Sequence, residues 1–175
     1  MRSLGCLSVD ASPSALLLMD FQRFIVDRFP SAVAVERAAA ALAAARSAGI
    51  PVVFVRVARR SGPAEDAPET QVVPELAPRP GEPVVVKRRI GAFTGSDLDM
   101  VLRDLGVRRL VLAGISTSGV VLSTLRQALD LDLALEVLAD ACVDGDPEVH
   151  RVLTEKVFAR HAAVRTVDDW AASAG

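Results

Sequence analysis

The stretch Ala15-Leu-Leu-Leu-Met19 contains only apolar side chains and ends at Asp20. Short continuous apolar runs are typical of strands in a parallel sheet, because helices cover both faces of such strands. On either side of this run, apolar strands alternate with helical segments. We predict strands at 15–19, 50–57, 84–86, 109–113, 133–138 and 162–166, and helices at 32–48, 95–105, 119–131, 147–160 and 168–172.

This alternation predicts an α/β fold, a three-layer sandwich in which a six-stranded parallel sheet carries helices on both faces. Ser31 is a candidate N-terminal cap for the first predicted helix, and Gly49 ends it. The stretch 59–83 is rich in proline, with glycine and charged residues, which predicts a long loop. It is not a domain linker, because the parts on either side are too small to fold alone. We therefore expect 1–175 to form a single domain.

Charge and composition exclude several classes of partner. The net charge is −2, from 20 basic and 22 acidic residues, whereas a nucleic-acid-binding protein needs a basic face. No apolar run approaches the roughly 20 residues that span a bilayer, so we expect no membrane partner and a cytoplasmic location. The two cysteines, Cys6 and Cys142, are too few for a disulfide framework and are expected to be unpaired thiols in a reducing compartment.

The topology of parallel sheets predicts where a site would lie. Ligands bind beyond the carboxyl ends of the strands, near the point where the strand order reverses. That rule selects Asp20 after the first strand, Lys87 after the third and the turn 114–120 after the fourth. The rule is topological and does not identify the chemistry.

Asp20 and Lys87 each have two interpretations. Partial burial raises the pKa of a carboxylic acid, which suits a general acid or base, but a carboxylate at this position can also cap a helix or brace a loop. The ammonium of Lys87 can pair with Asp20 and hold an anionic substrate or intermediate. Alternatively, it is a solvated lysine at a strand end.

The turn Gly114-Ile-Ser-Thr-Ser-Gly-Val120 leads a strand into a helix, where backbone N–H groups stabilise an oxyanion or carboxylate. It is not a phosphate loop, because it lacks the Gly-Lys-Ser/Thr ending. The alternative interpretation is an ordinary turn in which Thr117 or Ser118 caps the helix. A Gly-x-Ser-x-Gly nucleophile elbow is absent. The only histidines are His150, expected at the surface, and His161, so we expect no metal and no cofactor.

Four segments together resemble the isochorismatase-like superfamily, also called the cysteine hydrolases, over nearly the whole chain. They are Leu17-Leu-Met-Asp-Phe-Gln22, Lys87-Arg-Arg-Ile-Gly-Ala-Phe93 with Asp97-Leu98, Ala113-Gly-Ile-Ser-Thr117 through Thr124, and Val137-Leu-Ala-Asp-Ala-Cys142. The resemblance implies that Asp20 is the catalytic acid/base and Lys87 the second catalytic residue. It also places Val120 where most members carry the nucleophilic cysteine. Valine cannot form a thioester, and Cys142, after a different strand, does not replace the nucleophile.

The superfamily that these segments resemble includes the true isochorismatases, which cleave a vinyl ether without a cysteine nucleophile. We therefore expect a metal-free hydrolase of a small carboxylated substrate, with Asp20 as general acid and Lys87 tuning it and stabilising anionic groups. The substrate would be held by Phe93, Arg88, Ser118 and Gly119, and by turn N–H groups near Ile115, Ser116 and Val120. The family also implies a homo-oligomer. Two alternatives are a binding or scaffold protein that has lost the nucleophile, and a hydrolase that uses Ser118 or Ser123 instead.

Overall fold

The computed structural model describes residues 13–58 and 61–173 of the chain. Six strands in these ranges form one parallel sheet in the order β3-β2-β1-β4-β5-β6, which confirms the predicted fold class. The order reverses between β1 and β4, so the switch point lies beside β1. The strands are β1 (Ser14–Met19), β2 (Val52–Val57), β3 (Val84–Lys87), β4 (Arg109–Ile115), β5 (Ala134–Val143) and β6 (Ala163–Arg165).

Helices cover both faces of this sheet. They are α1 (Arg23–Val26), α2 (Ala32–Ser47), α3 (Leu98–Asp104), α4 (Leu122–Asp130), α5 (Pro147–Val152) and α6 (Val167–Ala171). Shorter turns are 3₁₀-helical at Pro68–Thr70, Pro74–Leu76 and Phe158–Arg160, and π-helical at Thr117–Val121 and Leu153–Val157. The sequence did not predict α1, which has a single turn and too few residues for a helical pattern.

The apolar run of β1 contributes to two cores. Leu16 and Leu18 pack on the face that carries α2 and α6, whereas Leu17 and Met19 pack on the face that carries α3 and α4. Successive side chains of a strand point to opposite faces, so an all-apolar strand is the pattern that two covering layers require.

The alanine-rich face of α2 is buried within the molecule. Ala38, Ala41 and Ala45 are fully buried, whereas Val33 is 65% exposed. The alanine content of this helix is therefore explained by packing on the sheet.

Two strands extend at least two residues past their predicted carboxyl ends. β4 continues through Ile115 and β5 through Val143, and Gly114 pairs with Cys142 after a register shift in the ladder. Cys142 therefore lies inside β5, whereas it was expected to follow that strand. The apolar pattern did not predict this continuation of β5, because the polar Asp140 interrupts the run. Its carboxylate accepts a hydrogen bond from the Val167 backbone N–H at 2.9 Å and pairs with Arg37 at 2.8 Å.

Ser31 is the N-cap residue of α2, as predicted, but its side chain does not cap the helix, and the predicted cap before α4 is wrong. The hydroxyl of Ser31 donates to the backbone carbonyl of Val26 at 2.7 Å and makes no hydrogen bond to the start of α2. Before α4, the capping oxygen is that of Ser116, which accepts from the Gly119 N–H at 3.2 Å, and not that of Thr117 or Ser118. Among the described helices, none is both long and apolar enough to cross a membrane.

Candidate active site

Asp20 and Lys87 form a buried ion pair. The Lys87 Nζ lies 2.9 Å from the Asp20 Oδ2, and the two side chains are 1% and 7% exposed, respectively. The ammonium also donates to the backbone carbonyls of Arg89 and Ile90, both at 3.1 Å. Removing one partner from a buried pair leaves an uncompensated charge, so these two groups depend on each other for their position.

The ends of two strands place this pair. Asp20 directly follows β1 with a φ of 62°, a left-handed conformation that aspartate adopts more readily than most residues. Its N–H still donates to the Val55 carbonyl of the neighbouring strand at 2.9 Å. Lys87 is the last residue of β3, two strands away, and its long side chain crosses the end of β2 to reach Asp20.

Gly114 allows the turn after β4 to approach β1. A Cβ at this position would lie 2.8 Å from the Met19 carbonyl oxygen and 3.4 Å from a methyl carbon of Val120. Any larger residue would push the turn away from the end of β1. The glycine thus brings Val120, which is 2% exposed, to the same edge of the sheet as Asp20 and Lys87.

Two side chains from the far side hold the turn. The Asp144 Oδ2 accepts from the Ser118 N–H at 2.7 Å, and the buried Thr117 hydroxyl lies 2.8 Å from His150 Nδ1. Burial lowers the pKa of His150, with the Asp144 carboxylate opposing the shift, which favours a neutral ring beside Thr117. His150 was expected at the surface, and no local sequence pattern connected it with Thr117.

A cavity of about 630 Å³ opens above the ion pair. Such a volume suits a small organic ligand. Its described wall comprises Asp20, Lys87, Ile90, Ile115, Ser116, Gly119 and Val120, together with Phe24, Ile25, Arg28, Phe29, Val57, Ser61, Gly62, Pro63 and Thr70. The expected convergence of Asp20, Lys87 and the turn residues at the carboxyl edge is therefore confirmed.

Several predicted contact residues lie elsewhere. Neither Arg88 nor Phe93 belongs to the described wall of the cavity. Arg88 pairs with Glu65 at 2.9 Å, and Phe93 is half-buried against the core beneath α3 and α4. Ser118 and Ser123 are also outside this wall, and the Ser118 N–H is already donated to Asp144. The turn serine in the wall is Ser116.

The wall formed by α1 and the loop after β2 was missed. Gln22 connects these parts, because its side-chain amide donates to the Val57 and Thr70 carbonyls at 3.1 and 2.6 Å and accepts from the Val57 N–H at 2.7 Å. Gln22 is fully buried. Its place two residues after Asp20 was the only sequence signal that it belongs to the site.

Two further observations bear on the chemistry. Burial raises the pKa of the Cys142 thiol to about 12, which disfavours the nucleophilic thiolate. Within 13–58 and 61–173, no group of three or more His, Cys, Asp or Glu side chains is arranged to hold a metal ion.

Comparisons with known proteins point to one family. The model of the isochorismatase domain matches residues 14–169. The uncharacterised isochorismatase family protein YecD of Escherichia coli O157:H7 is 34% identical over 182 residues, covering 93% of this chain and 97% of that protein. The ureidoacrylate amidohydrolase RutB of Pseudomonas syringae pv. syringae strain B728a is 35% identical over 159 residues, covering 73% of this chain and 61% of RutB.

Solved structures agree with the sequence relatives. An isochorismatase family protein from Burkholderia thailandensis superposes with a TM-score of 0.83 at 29% identity, covering 93% of this chain and 95% of the other. An isochorismatase-like hydrolase from Alkaliphilus metalliredigens gives 0.86 at 25% identity, covering 93% and 99%. The likeness therefore extends over nearly the whole sheet and its helices.

Proposed function

This chain belongs to the isochorismatase family of hydrolases, and from that premise we propose that it hydrolyses a small carboxylated substrate by metal-free chemistry centred on Asp20. One observation carries the proposal: Asp20 and Lys87 form a buried pair that opens into a cavity of about 630 Å³. An arrangement kept for stability alone has no need of adjoining open space, whereas a general acid needs room for a substrate.

A vinyl ether is the favoured substrate type, because its hydrolysis requires no covalent intermediate. Asp20 gives its proton to the terminal carbon of the double bond, and water adds to the resulting oxocarbenium carbon. The hemiketal then breaks to a ketone and an alcohol, and the proton released from water returns to Asp20. The Lys87 ammonium favours the ionised form of the Asp20 carboxyl. A substrate that fills the cavity opposes this effect, because it displaces water and exclusion of water favours the protonated carboxyl that the first step needs.

Lys87 acts on Asp20 in this scheme. An ammonium has three N–H donors, and Asp20, Arg89 and Ile90 accept from all three directions. It therefore fixes the carboxyl group in position and compensates the negative charge that Asp20 carries after donating its proton.

Amide hydrolysis is the less favoured chemistry. RutB is named for amide hydrolysis of ureidoacrylate, itself a carboxylate. In the resemblance, however, residue 120 is the nucleophile's position, and Val120 offers no attacking atom. A Ser118 or Ser123 nucleophile has little support either, because neither serine lies in the described wall of the cavity.

The same valine favours a second candidate, a binding or scaffold member of the family without catalysis. Such a protein does not require Asp20 to donate a proton. It predicts ligand binding without turnover and no special effect of a neutral side chain at position 20.

A substrate screen with Asp20→Asn separates the two candidates. Small 2-alkoxyacrylates, isochorismate and matched carboxylated amides are offered to the wild type and the variant. We expect turnover of a vinyl ether by the wild type and a decrease of at least about 10²-fold in Asp20→Asn, because the general acid is lost. Circular dichroism and the melting temperature check that the variant remains folded.

Asp27→Asn is the matched control, since it makes the same chemical change at an exposed position just after α1, outside the cavity wall. It should turn over substrate like the wild type. Equal turnover by Asp20→Asn and the wild type would rule out Asp20 as the acid. If the wild type turns over none of these compounds, the result favours the binding or scaffold role over the hydrolase.

A further inference from the structure

Two cationic side chains face the cavity among the described wall residues, Lys87 and Arg28, against one carboxylate, that of Asp20. The excess positive charge favours an anionic ligand. Which cation contacts the anion is decided by the hydrogen bonds that each already makes.

Lys87 has no donor to spare. Its three N–H directions are taken by the Asp20 carboxylate and the carbonyls of Arg89 and Ile90, and the side chain is only 1% exposed. A ligand carboxylate could bind this ammonium only by displacing a partner that is itself buried. The expectation that Lys87 holds an anionic substrate group therefore has little support from the geometry.

Several arginines around the sheet are held in ion pairs with carboxylates. Arg37, Arg46, Arg109 and Arg151 each pair with a carboxylate at 2.6–3.2 Å. Within the described residues, by contrast, Arg28 has no ion pair. Its guanidinium lies over the ring of Phe24, 5.8 Å from the ring centroid, and Phe24 is also in the cavity wall. The contact orients the guanidinium and leaves its N–H donors available.

The surfaces around Arg28 are apolar. Phe24, Ile25 and Phe29, all from α1 and the turn after it, line the same side of the cavity. Aromatic and aliphatic side chains beside a single cation match a ligand that joins a carboxylate to a planar, apolar body.

We propose that Arg28 binds the substrate's carboxylate and thereby selects planar or cyclic carboxylates over their neutral counterparts. The inference rests on the proposed function for the word substrate, but it concerns binding and does not require Asp20 to act as an acid. A guanidinium binds a carboxylate through two parallel N–H donors, so both its charge and its shape contribute.

The test is a binding titration with benzoate and its neutral isostere benzamide, monitored by NMR. The wild type should bind benzoate more tightly than benzamide. Arg28→Met should weaken benzoate binding at least about tenfold and leave benzamide binding unchanged, because only the charged ligand loses its hydrogen bonds. Arg28→Lys, which keeps the charge without the planar fork, should fall between these.

Arg23→Met is the matched control. It removes the same charge from α1, directly before the turn that carries Arg28, but Arg23 lies outside the described cavity wall, so both ligands should bind as in the wild type. Equal benzoate binding by Arg28→Met and the wild type would overturn the proposal, as would a wild type that does not prefer benzoate. Turnover is absent from this readout, so an inactive protein that binds benzoate through Arg28 would refute the proposed function alone.

Discussion

Asp20 combines three properties that individual residues rarely share. It is an aspartate with a φ of 62°, it is 5% exposed, and its carboxylate contacts a buried ammonium. Unfavourable backbone conformations persist where the surrounding structure over-determines them, and they cluster at functional sites. The hydrogen bond from its N–H to Val55 and the ion pair to Lys87 supply that constraint here.

The thiol of Cys142 is predicted to be unreactive and unnecessary. Because burial raises its pKa to about 12, it remains protonated at pH 8, and iodoacetamide should modify it only after denaturation. In a Cys6→Ala background, Val120→Cys should react at least about tenfold faster, since it places a thiol in the cavity wall. Intact-protein mass spectrometry measures both rates.

Replacing Cys142 with Ala gives the functional control. Any turnover of the wild type should persist in Cys142→Ala, because the thiol lies within β5 and outside the described wall. A folded Cys142→Ala protein without turnover would contradict this. If native Cys142 reacted as rapidly as the thiol of Val120→Cys, the prediction that Cys142 is unreactive would be wrong.

At the scale of elements, the site depends on segments that are not regular strands or helices. The chain after β2 returns to β1 through an isolated antiparallel bridge between Gln22 and Val72 and a hydrogen bond from the Val73 N–H to Phe21. The turn before α4 is similarly held by Asp144 and His150. These contacts shape the cavity, although the layers of the fold do not require them.

Gln22→Leu is predicted to loosen the loop that forms one wall. The substitution removes three buried hydrogen bonds. It leaves the Val57 N–H without its partner, whereas the Thr70 carbonyl keeps only the longer hydrogen bond from Arg56 at 3.2 Å. We expect a loss of about 2–4 kcal/mol in the free energy of unfolding, measured by urea denaturation, because unsatisfied buried groups retain their desolvation penalty.

Gln71→Leu provides the comparison for this variant. It makes the same change on the loop itself. The side-chain hydrogen bonds of Gln71 are 3.2–3.4 Å long and the residue is exposed, so water can replace them and stability should change by no more than about 0.5 kcal/mol. If the two variants lost equal stability, the buried amide of Gln22 would not be what fastens the loop.

At the scale of the whole molecule, the strand order explains where the site lies. β1 and β4 are neighbours at the switch point, so the chains that leave them diverge to opposite faces and open a crevice at the carboxyl edge. The two cores on either side of the sheet keep the strand ends rigid beneath this crevice.

Association into a homo-oligomer remains a prediction. Val33 on α2 is 65% exposed, Ile90 at the cavity 58% and Met100 on α3 57%, and association would remove such apolar surface from water. Light scattering should give a mass that is a multiple of 18.5 kDa. A monomeric mass at working concentrations would contradict the prediction.

Two variants ask whether α2 takes part in that association. If it does, Val33→Glu should lower the mass because it buries a charge in the contact, whereas Val149→Glu, an equivalent change on α5, should not. Equal masses for the wild type and both variants would place any contact elsewhere.

The sequence by itself determined the layers of the fold and the positions of Asp20, Lys87 and Val120 along it. Apolar runs and helix periodicity are properties of neighbouring residues, and parallel topology brings strand ends to one edge. The same local patterns were insufficient for β5, because the polar Asp140 interrupts the run and its partners, Arg37 and the Val167 N–H, are distant in sequence.

Only the tertiary structure decided which side chains surround the ion pair. Arg88 and Phe93 were expected to contact the substrate, but the described cavity wall contains Arg28 and Phe24. Contacts such as that between Lys87 and Asp20 join residues far apart in sequence, and their geometry depends on the packing of every element between them. Local composition carries no record of that packing, so no pattern of neighbouring residues could have revealed it.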